Sequence, residues 1–507
     1  MAAAAHLPVL CTLFLAVIML AAGIHEDDCL EYFAANSEYA DLSKVPTYSR
    51  MIGYKRRSIA PGRNLHLDAA QHVFAQHLSL PEVVLERSVS NLGDSVRLRN
   101  FFHKLRAGQP VSVVAMGGSI TCGGNTRSED EQWSYGVFHW INSTFPHTNH
   151  TYLNSCKPAT PSMVVGACLR DYIPDQVDLV LFEYTVNDDD WTTSGGLSGL
   201  PVMENEYRRG FERYLRKLLK LPQWPALLYL HVWQSAYMGP KFWTGGEMQI
   251  ESILQYYSVP TVSARNALYE LAARNATGFS EEEVHCGVHP NPLGHRYYAD
   301  MMIATLQDHA YAAYAQAGEQ DELPPMFTDL RNLPEPMLEE NWEMESACLS
   351  GEPLRDAVVP KQSQGWEWVN EGKYGLHPKW GFRTMDPGTS ITLQVDSMSG
   401  RLGDPKGEIL MGLGYLGSYQ HMGSFSVECR AGCTCEGISN HSASHKSPSS
   451  YQKMVYFAAT QAKKCQLRIS SLQYTESGEH KVKFDTLMVA TGISSKWVGQ
   501  MNSMFDA

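Results

Sequence analysis

Three short apolar runs constrain this chain more than any other feature: Pro110-Val111-Ser112-Val113-Val114-Ala115-Met116, Val177-Asp178-Leu179-Val180-Leu181-Phe182-Glu183-Tyr184 and Ala226-Leu227-Leu228-Tyr229-Leu230-His231-Val232. They are too short for core helices and show no polar alternation, which is the pattern of strands buried on both faces of a parallel sheet. Helical spacing of apolar residues lies between and after them, over 204–221 and 294–315. Strand and helix alternating over about 200 residues predicts a parallel sheet covered by helices on both faces.

The flanks differ from this centre. Residues 24–108 carry helical spacing around 65–85 and 96–105 and are expected to form a helical extension in front of an α/β domain at 109–316. Residues 317–341 are acidic and contain Pro324, Pro325, Pro334 and Pro336, a composition that reads as a linker or wrapping segment. From 342 to 496 the pieces 390–395, 425–429, 466–469 and 482–489 alternate with Gly- and Ser-rich turns, which predicts an all-β sandwich followed by a short tail at 497–507.

Residues 1–23 contain no Asp, Glu, Lys or Arg, and the apolar stretch 7–22 ends at His25-Glu26-Asp27-Asp28. This is the pattern of a signal peptide for secretion, with Ala21 and Gly23 suiting cleavage after Gly23. The usual positively charged start is missing, and the alternative is an uncleaved type II membrane anchor, for which the stretch falls short of the roughly 20 residues a bilayer core needs. Removing Cys11 with the signal leaves ten of the 11 cysteines, an even number that favours disulfides in an exported chain. The crowded group Cys429, Cys433 and Cys435 would also suit zinc, but no histidine completes a ligand pattern and bridges are expected instead. Sequons at Asn142, Asn149, Asn275 and Asn440 fit an extracellular glycoprotein. The net charge of −13 repels phosphate backbones and argues against nucleic acid as a partner.

Chemistry concentrates where strands end. The first run delivers Gly117-Gly118-Ser119-Ile120-Thr121, which sets Ser119 at the carboxyl end of a central strand, where open α/β sheets build their sites. Read alone, this is equally a turn. The second run ends in Glu183-Tyr184-Thr185-Val186-Asn187-Asp188, so the Asn187 amide is a candidate oxyanion donor or a helix cap. The segment His285-Cys286-Gly287-Val288-His289-Pro290 offers His289, held before a proline, as a general base for a serine hydroxyl.

These three blocks, in this order, resemble the SGNH or GDSL hydrolase superfamily over roughly 109–315. The resemblance implies a flavodoxin-like three-layer α/β/α fold that hydrolyses esters with no metal or other cofactor. It assigns the nucleophile to Ser119, the base to His289, and the oxyanion donors to Ser119, Ala159 and Asn187. Gly93-Asp94-Ser95 spells the family's nucleophile triplet, but no apolar strand precedes it and it reads as a helix cap. Three positions depart from the family pattern: Gly118 replaces an aspartate, Ala159 stands where a glycine is expected, and Cys286 occupies the place of the triad aspartate. Loss of that acid costs a serine protease about ten-thousandfold in turnover, so Glu281, Glu282, Glu283 or a backbone carbonyl would have to orient the histidine. Cys286 itself is expected in a disulfide.

The expected function is a secreted serine esterase that removes acyl groups such as acetyl from a glycan or other ester, with peripheral association to a cell surface or wall. The alternatives are a non-catalytic glycan-binding or adhesion protein on the same scaffold and an O-acyltransferase. Trp366, Trp368 and Trp380 would either stack on sugar faces or pack a core. His421, His441 and His445 are expected on a surface loop.

Overall fold

Where the sequence offers uninterrupted apolar residues the chain is extended and buried on both sides. In the computed structural model the described residues are 30–31, 33–35, 37–50, 71–94, 96–188, 203, 205–233, 242, 246–315, 332–372, 378–398, 408–445 and 450–490. The expected signal segment, its alternative as an anchor, and the tail at 497–507 lie outside them. Six strands, β1 Val89–Asn91, β2 Ser112–Gly117, β3 Thr151–Asn154, β4 Leu179–Glu183, β5 Ala226–His231 and β6 Thr261–Ser263, form one sheet in the order β1-β6-β5-β4-β2-β3. All neighbours are parallel except β1, which joins β6 antiparallel. Without β1 the order is that of flavodoxin-like sheets. The helices are α1 Glu82–Ser88, α2 Val96–Arg106, α3 Trp133–Thr144, α4 Ser162–Ala167, α5 Glu206–Leu219, α6 Glu247–Tyr256, α7 Ala264–Ala273 and α8 Pro292–Ala315.

The chain divides into two compact units that interleave in sequence. The first draws on 1–158, 175–189 and 219–335, the second on 159–174, 190–218 and 336–507. In the first, side-chain alternation sends Val113, Leu179, Leu181, Leu228, Leu230 and Val262 to one face, against Phe101 and Phe102 of α2, Trp133 and Trp140 of α3 and Met302 of α8. On the other face His231 and Thr261 reach Glu251 of α6. Helices therefore flank both faces of the sheet. Of the helical spacing around 65–85, residues 65–70 lie outside the described residues and the remainder forms a short turn, Gln71–Phe74, and the start of α1. Between them Leu78 pairs its backbone with Tyr48, and Pro81 stands at the α1 N-cap. Two further strands, β7 His285–Cys286 and β8 His289–Pro290, make a small antiparallel hairpin.

The second unit is an antiparallel sandwich. Its strands are β9 Ser346–Ser350, β10 Glu367–Asn370, β11 Trp380–Thr384, β12 Ser390–Val395, β13 Glu408–Gly417, β14 Ser424–Ala431, β15 Ile438–Ser442, β16 Tyr451–Thr460, β17 Cys465–Ser471 and β18 Val482–Ala490. One sheet runs β10-β11-β18-β13-β16, with β9 also on β18, and the other runs β12-β17-β14-β15. Ile391, Leu393, Val427, Leu467 and Ile469 of the second sheet meet Met411, Leu413, Val455, Phe457 and Leu487 of the first. The opposite face of the first sheet is covered as well, because Leu410, Met454, Tyr456 and Met488 pack on Met163, Val164 and Cys168 in and beside α4. The disulfide Cys168–Cys348 locks that contact, and Lys217 of α5 donates to the Gly166 carbonyl and to Ser346 Oγ. Glu212, also on α5, accepts from the Leu338 N–H and the Asn341 side chain. The end of the expected linker is thus tied down, while 316–331 lie outside the described residues.

The crowded cysteines are bridged Cys429–Cys435 and Cys433–Cys465. Trp366 and Trp368 lean on the core, 5.4 Å from Phe484 and 4.7 Å from Phe382 between ring centroids. Trp380 is 46% exposed and lies parallel to Trp368. His441 is not on a surface loop: β15 pairs it with Phe425, which turns it inward, and its Nε2 lies 2.6 Å from the Tyr415 hydroxyl. His421 is exposed beside Glu479, as expected of a loop.

Replacing Cys168 and Cys348 together by serine is expected to destabilise the sandwich unit by about 2–5 kcal/mol, because the bridge closes a long loop in the unfolded chain. Denaturant titration followed by tryptophan fluorescence would measure this.

Candidate active site

The chain leaves β2 toward β3 on one side and β4 on the other, so the ends of β2 and β4 bound the crevice where the strand order reverses. Such a switch point is the ordinary ligand site of an open parallel sheet. Ser119 follows β2 by two residues and Asn187 follows β4 by four. The rim continues on the other side, where Ser155 N–H donates to the Ala115 carbonyl (2.8 Å) and Lys157 N–H to the Gly117 carbonyl (2.9 Å).

A tight turn carries Ser119. Cys122 N–H donates to the Gly118 carbonyl (3.1 Å), Gly123 N–H to that of Ile120 (3.0 Å) and Gly124 N–H to that of Ser119 (2.9 Å). Ile120 anchors the turn in the core, the disulfide Cys122–Cys156 ties it to the segment after β3, and Asn154 Nδ2 donates to the Thr121 carbonyl at 2.7 Å. Below it the buried Glu183 Oε1 accepts from Gly118 N–H (3.1 Å), Thr121 N–H (3.2 Å) and the Thr121 hydroxyl (2.8 Å). Ser119 itself is half-buried.

His289 comes to this turn from the β7–β8 hairpin, its Nε2 2.7 Å from Ser119 Oγ. The hairpin is clamped by Asn125, whose backbone is left-handed (φ 63°) and whose Nδ2 donates to the carbonyls of Cys286 (2.6 Å) and His289 (3.1 Å). Gly124 lies flat on the imidazole, where a Cβ would stand 2.8 Å from His289 Cδ2. Gly124 is held in turn by His295 of α8, whose Nε2 donates to its carbonyl at 3.0 Å while Nδ1 accepts from Trp133 N–H at 3.4 Å. Burial pushes His295 down to about 4, so it is neutral at physiological pH and can donate from one nitrogen and accept at the other.

Asn187 completes the group. Its carboxamide presses on Gly118, and a Cβ there would lie 1.9 Å from Asn187 Oδ1. Any side chain at 118, including an aspartate, would displace it. The loop before it rests on a buried chain: Thr185 Oγ1 lies 3.1 Å from the Tyr229 hydroxyl and 3.0 Å from His231 Nδ1, and His231 Nε2 lies 2.9 Å from Glu251 Oε2.

Ser119, His289 and Asn187 therefore meet on one turn. Cys286 is disulfide-bonded, as expected, and offers no acid. Glu283 is committed elsewhere, accepting from the N–H groups of Gly278 and Ser280 at the cap of a short helix. Ala159 belongs to the second unit, where its backbone is left-handed (φ 56°) and its carbonyl accepts from Gln452 N–H. Asp94 of the decoy triplet accepts from Val96 N–H at the start of α2. Asn142, Asn149, Asn275 and Asn440 are all exposed. Reading the sequence missed Glu183, Thr121, Asn125 and His295. The signal for Glu183 was present: a carboxyl ending a run as apolar as Leu179 to Phe182 has to be buried with partners.

The arrangement offers a hydroxyl in contact with an imidazole, next to an amide side chain and a fixed turn. No family model matches the sequence, and no match is found among curated proteins. Among solved structures the chain is similar to a two-domain esterase (CEX) active on acetylated mannans, with a TM-score of 0.57 and 17% identity over 81% of this chain and 99% of that one. The same esterase co-crystallised with mannopentaose gives a TM-score of 0.54 and 18% identity over 81% and 98%. At these identities the likeness is one of fold: an α/β sheet domain joined to an antiparallel β-sandwich.

Gly124→Ala would push His289 from Ser119 and is expected to slow labelling of Ser119 by a fluorophosphonate about 100-fold, as for a displacement near 1 Å, with little change in melting temperature. Acid should weaken the first unit. His285 and His295 are both held down to about 4 from 6.5 by burial, so the stability they contribute is complete above about pH 6.5 and lost as pH falls toward 4. Melting temperature measured across that window should drop, and the drop should shrink in His295→Gln.

Proposed function

We propose that this chain is a secreted serine esterase that removes acyl groups, acetyl first among them, from a carbohydrate. The observation that carries this reading is the 2.7 Å contact between His289 Nε2 and Ser119 Oγ at a sheet switch point. In this mechanism His289 takes the Ser119 proton as Oγ attacks the ester carbonyl. The resulting oxyanion is held by the Ser119 N–H and the Asn187 carboxamide. Collapse of the tetrahedral adduct breaks the carbon–oxygen bond to the sugar, whose oxygen receives the proton from His289. Water, deprotonated by His289, then attacks the acyl-enzyme, and the carboxylic acid leaves as Ser119 recovers its proton.

A carbohydrate substrate is supported by the exposed face of Trp380, which lies against Trp368 and is free to stack on a sugar ring. The activity on acetylated mannans stated for CEX makes such a polymer the first substrate to test. Secretion is supported by the disulfides and the exposed sequons. Among the described residues no helix is long and apolar enough to cross a membrane.

A second reading, a glycan-binding protein without activity, is favoured by the disulfide-bonded Cys286 in the place of the triad acid. One assay separates them. The purified protein should release acetate from acetylated mannan and hydrolyse p-nitrophenyl acetate, and Ser119→Ala should lower kcat by about a thousandfold or more. Equal activity in the variant, or no labelling of Ser119 by a fluorophosphonate, would reject the esterase reading.

A further inference from the structure

Among the described residues Glu183 is the buried carboxyl that touches the nucleophile turn, and the mechanism above makes no use of it. It is fully buried at the end of β4, with three donors from Gly118 and Thr121 converging on Oε1 and, among the described residues, no partner for Oε2. The backbone is bare where the carboxyl presses: a Cβ at position 117 would lie 2.2 Å from Thr121 Oγ1 and 2.6 Å from Glu183 Oε1. Gly117, Thr121 and Glu183 thus form a single contact, and Ser119 projects from the turn it fixes.

Among the described residues, the titratable groups that face this carboxyl are not cations. They are Asp188 in the turn after β4, Tyr229 on β5 and Tyr298 on α8. His285, bonded to Tyr298, is itself held neutral by burial. An ionised Glu183 would place an unpaired negative charge beside the turn on which a second negative charge, the oxyanion, must form. Building on the proposed esterase mechanism, we infer that Glu183 is a positioning residue whose neutral carboxyl aligns the Ser119 turn, and that loss of its proton turns the site off. Burial, opposed by the three hydrogen bonds and reinforced by Asp188, pushes the carboxyl up to about 8. The sign follows from the direction: with the folded value raised, the stability due to Glu183 is complete below its unfolded value and is lost as pH rises through about 8.

The test compares wild type with Glu183→Gln, a neutral isostere that keeps an oxygen for the three donors, and with Thr121→Val and Thr121→Ser. Hydrolysis of p-nitrophenyl acetate by the wild type should fall above about pH 8, approaching tenfold per pH unit in kcat/KM. Glu183→Gln should stay within about threefold of wild type at neutral pH and hold its rate through the alkaline range, since it cannot ionise. Thr121→Val should lower kcat about tenfold with KM little changed, and Thr121→Ser should restore it. Melting temperature gives an arm independent of activity: the wild type should lose stability relative to Glu183→Gln as pH rises from about 4.5 to about 8, and the difference should level off above that. An alkaline limb unchanged in Glu183→Gln, or parallel melting curves for the two proteins, would overturn the inference. Absence of hydrolysis in the wild type at every pH would reject the esterase reading, leaving the melting curves to judge the neutral carboxyl. Should Glu183→Gln not fold, the infrared carbonyl stretch of a buried neutral acid in the wild type, present at neutral pH and lost in strong base, decides, and its absence at neutral pH overturns the inference.

Discussion

The Asn187 carboxamide fills the space that a side chain at position 118 would need, and the His289 ring fills the space above Gly124. This crowding onto bare backbone is the constraint from which the rest of the site follows. A hydroxyl, an imidazole and an amide drawn from two strand ends and a hairpin can meet on one turn only if the turn itself has almost no side chains. Van der Waals exclusion is steep, so the two glycines are required by close approach. The polar groups then stand within reach of one another without further adjustment.

Around this turn lies a shell of buried polar groups, each facing a definite partner. Glu183 grips Gly118 and Thr121, His295 holds Gly124, Asn125 clamps the hairpin, and His231 with Glu251 supports Thr185. Unpaired, any of these would be costly at such depth; paired, they fix rotamers and loop positions. The disulfide Cys122–Cys156 adds a covalent tie between the turn and the rim beside it. A preorganised crevice of this kind suits chemistry in which charge develops at a fixed point.

Much of the fold was legible. The runs at 110–116, 177–184 and 226–232 became β2, β4 and β5 because each is a short apolar run, too short for a core helix, of the kind that suits a strand covered on both faces. The sandwich strands were legible as short pieces set between Gly- and Ser-rich turns, and in β17 every second residue is buried. Of the helical pattern expected around 65–85, residues 65–70 lie outside the described residues, and over 71–81 no α-helix forms, because backbone pairing between Leu78 and Tyr48 outweighs local periodicity. His441 was misread for a related reason: one polar residue in a polar stretch gives no sign that its strand pairs it with Phe425.

Ser119, Asn187 and His289 could be named from the sequence because each follows a short local pattern that a strand end or a pre-proline position imposes by itself. Their partners could not. Glu183, Asn125 and His295 act through contacts spanning 62 to 171 residues, and local pattern does not record which distant backbone group a side chain will meet. The division of the chain was equally hidden. Residues 159–174 lie between two strands of the parallel sheet, yet join the sandwich unit through Met163, Val164 and the Cys168–Cys348 bridge. The sequence by itself determined strands, their burial and the chemistry at their ends, because these depend on neighbours along the chain. Only the tertiary structure decided which carboxyl supports the turn and which unit owns each segment, because both depend on burial between residues far apart in sequence.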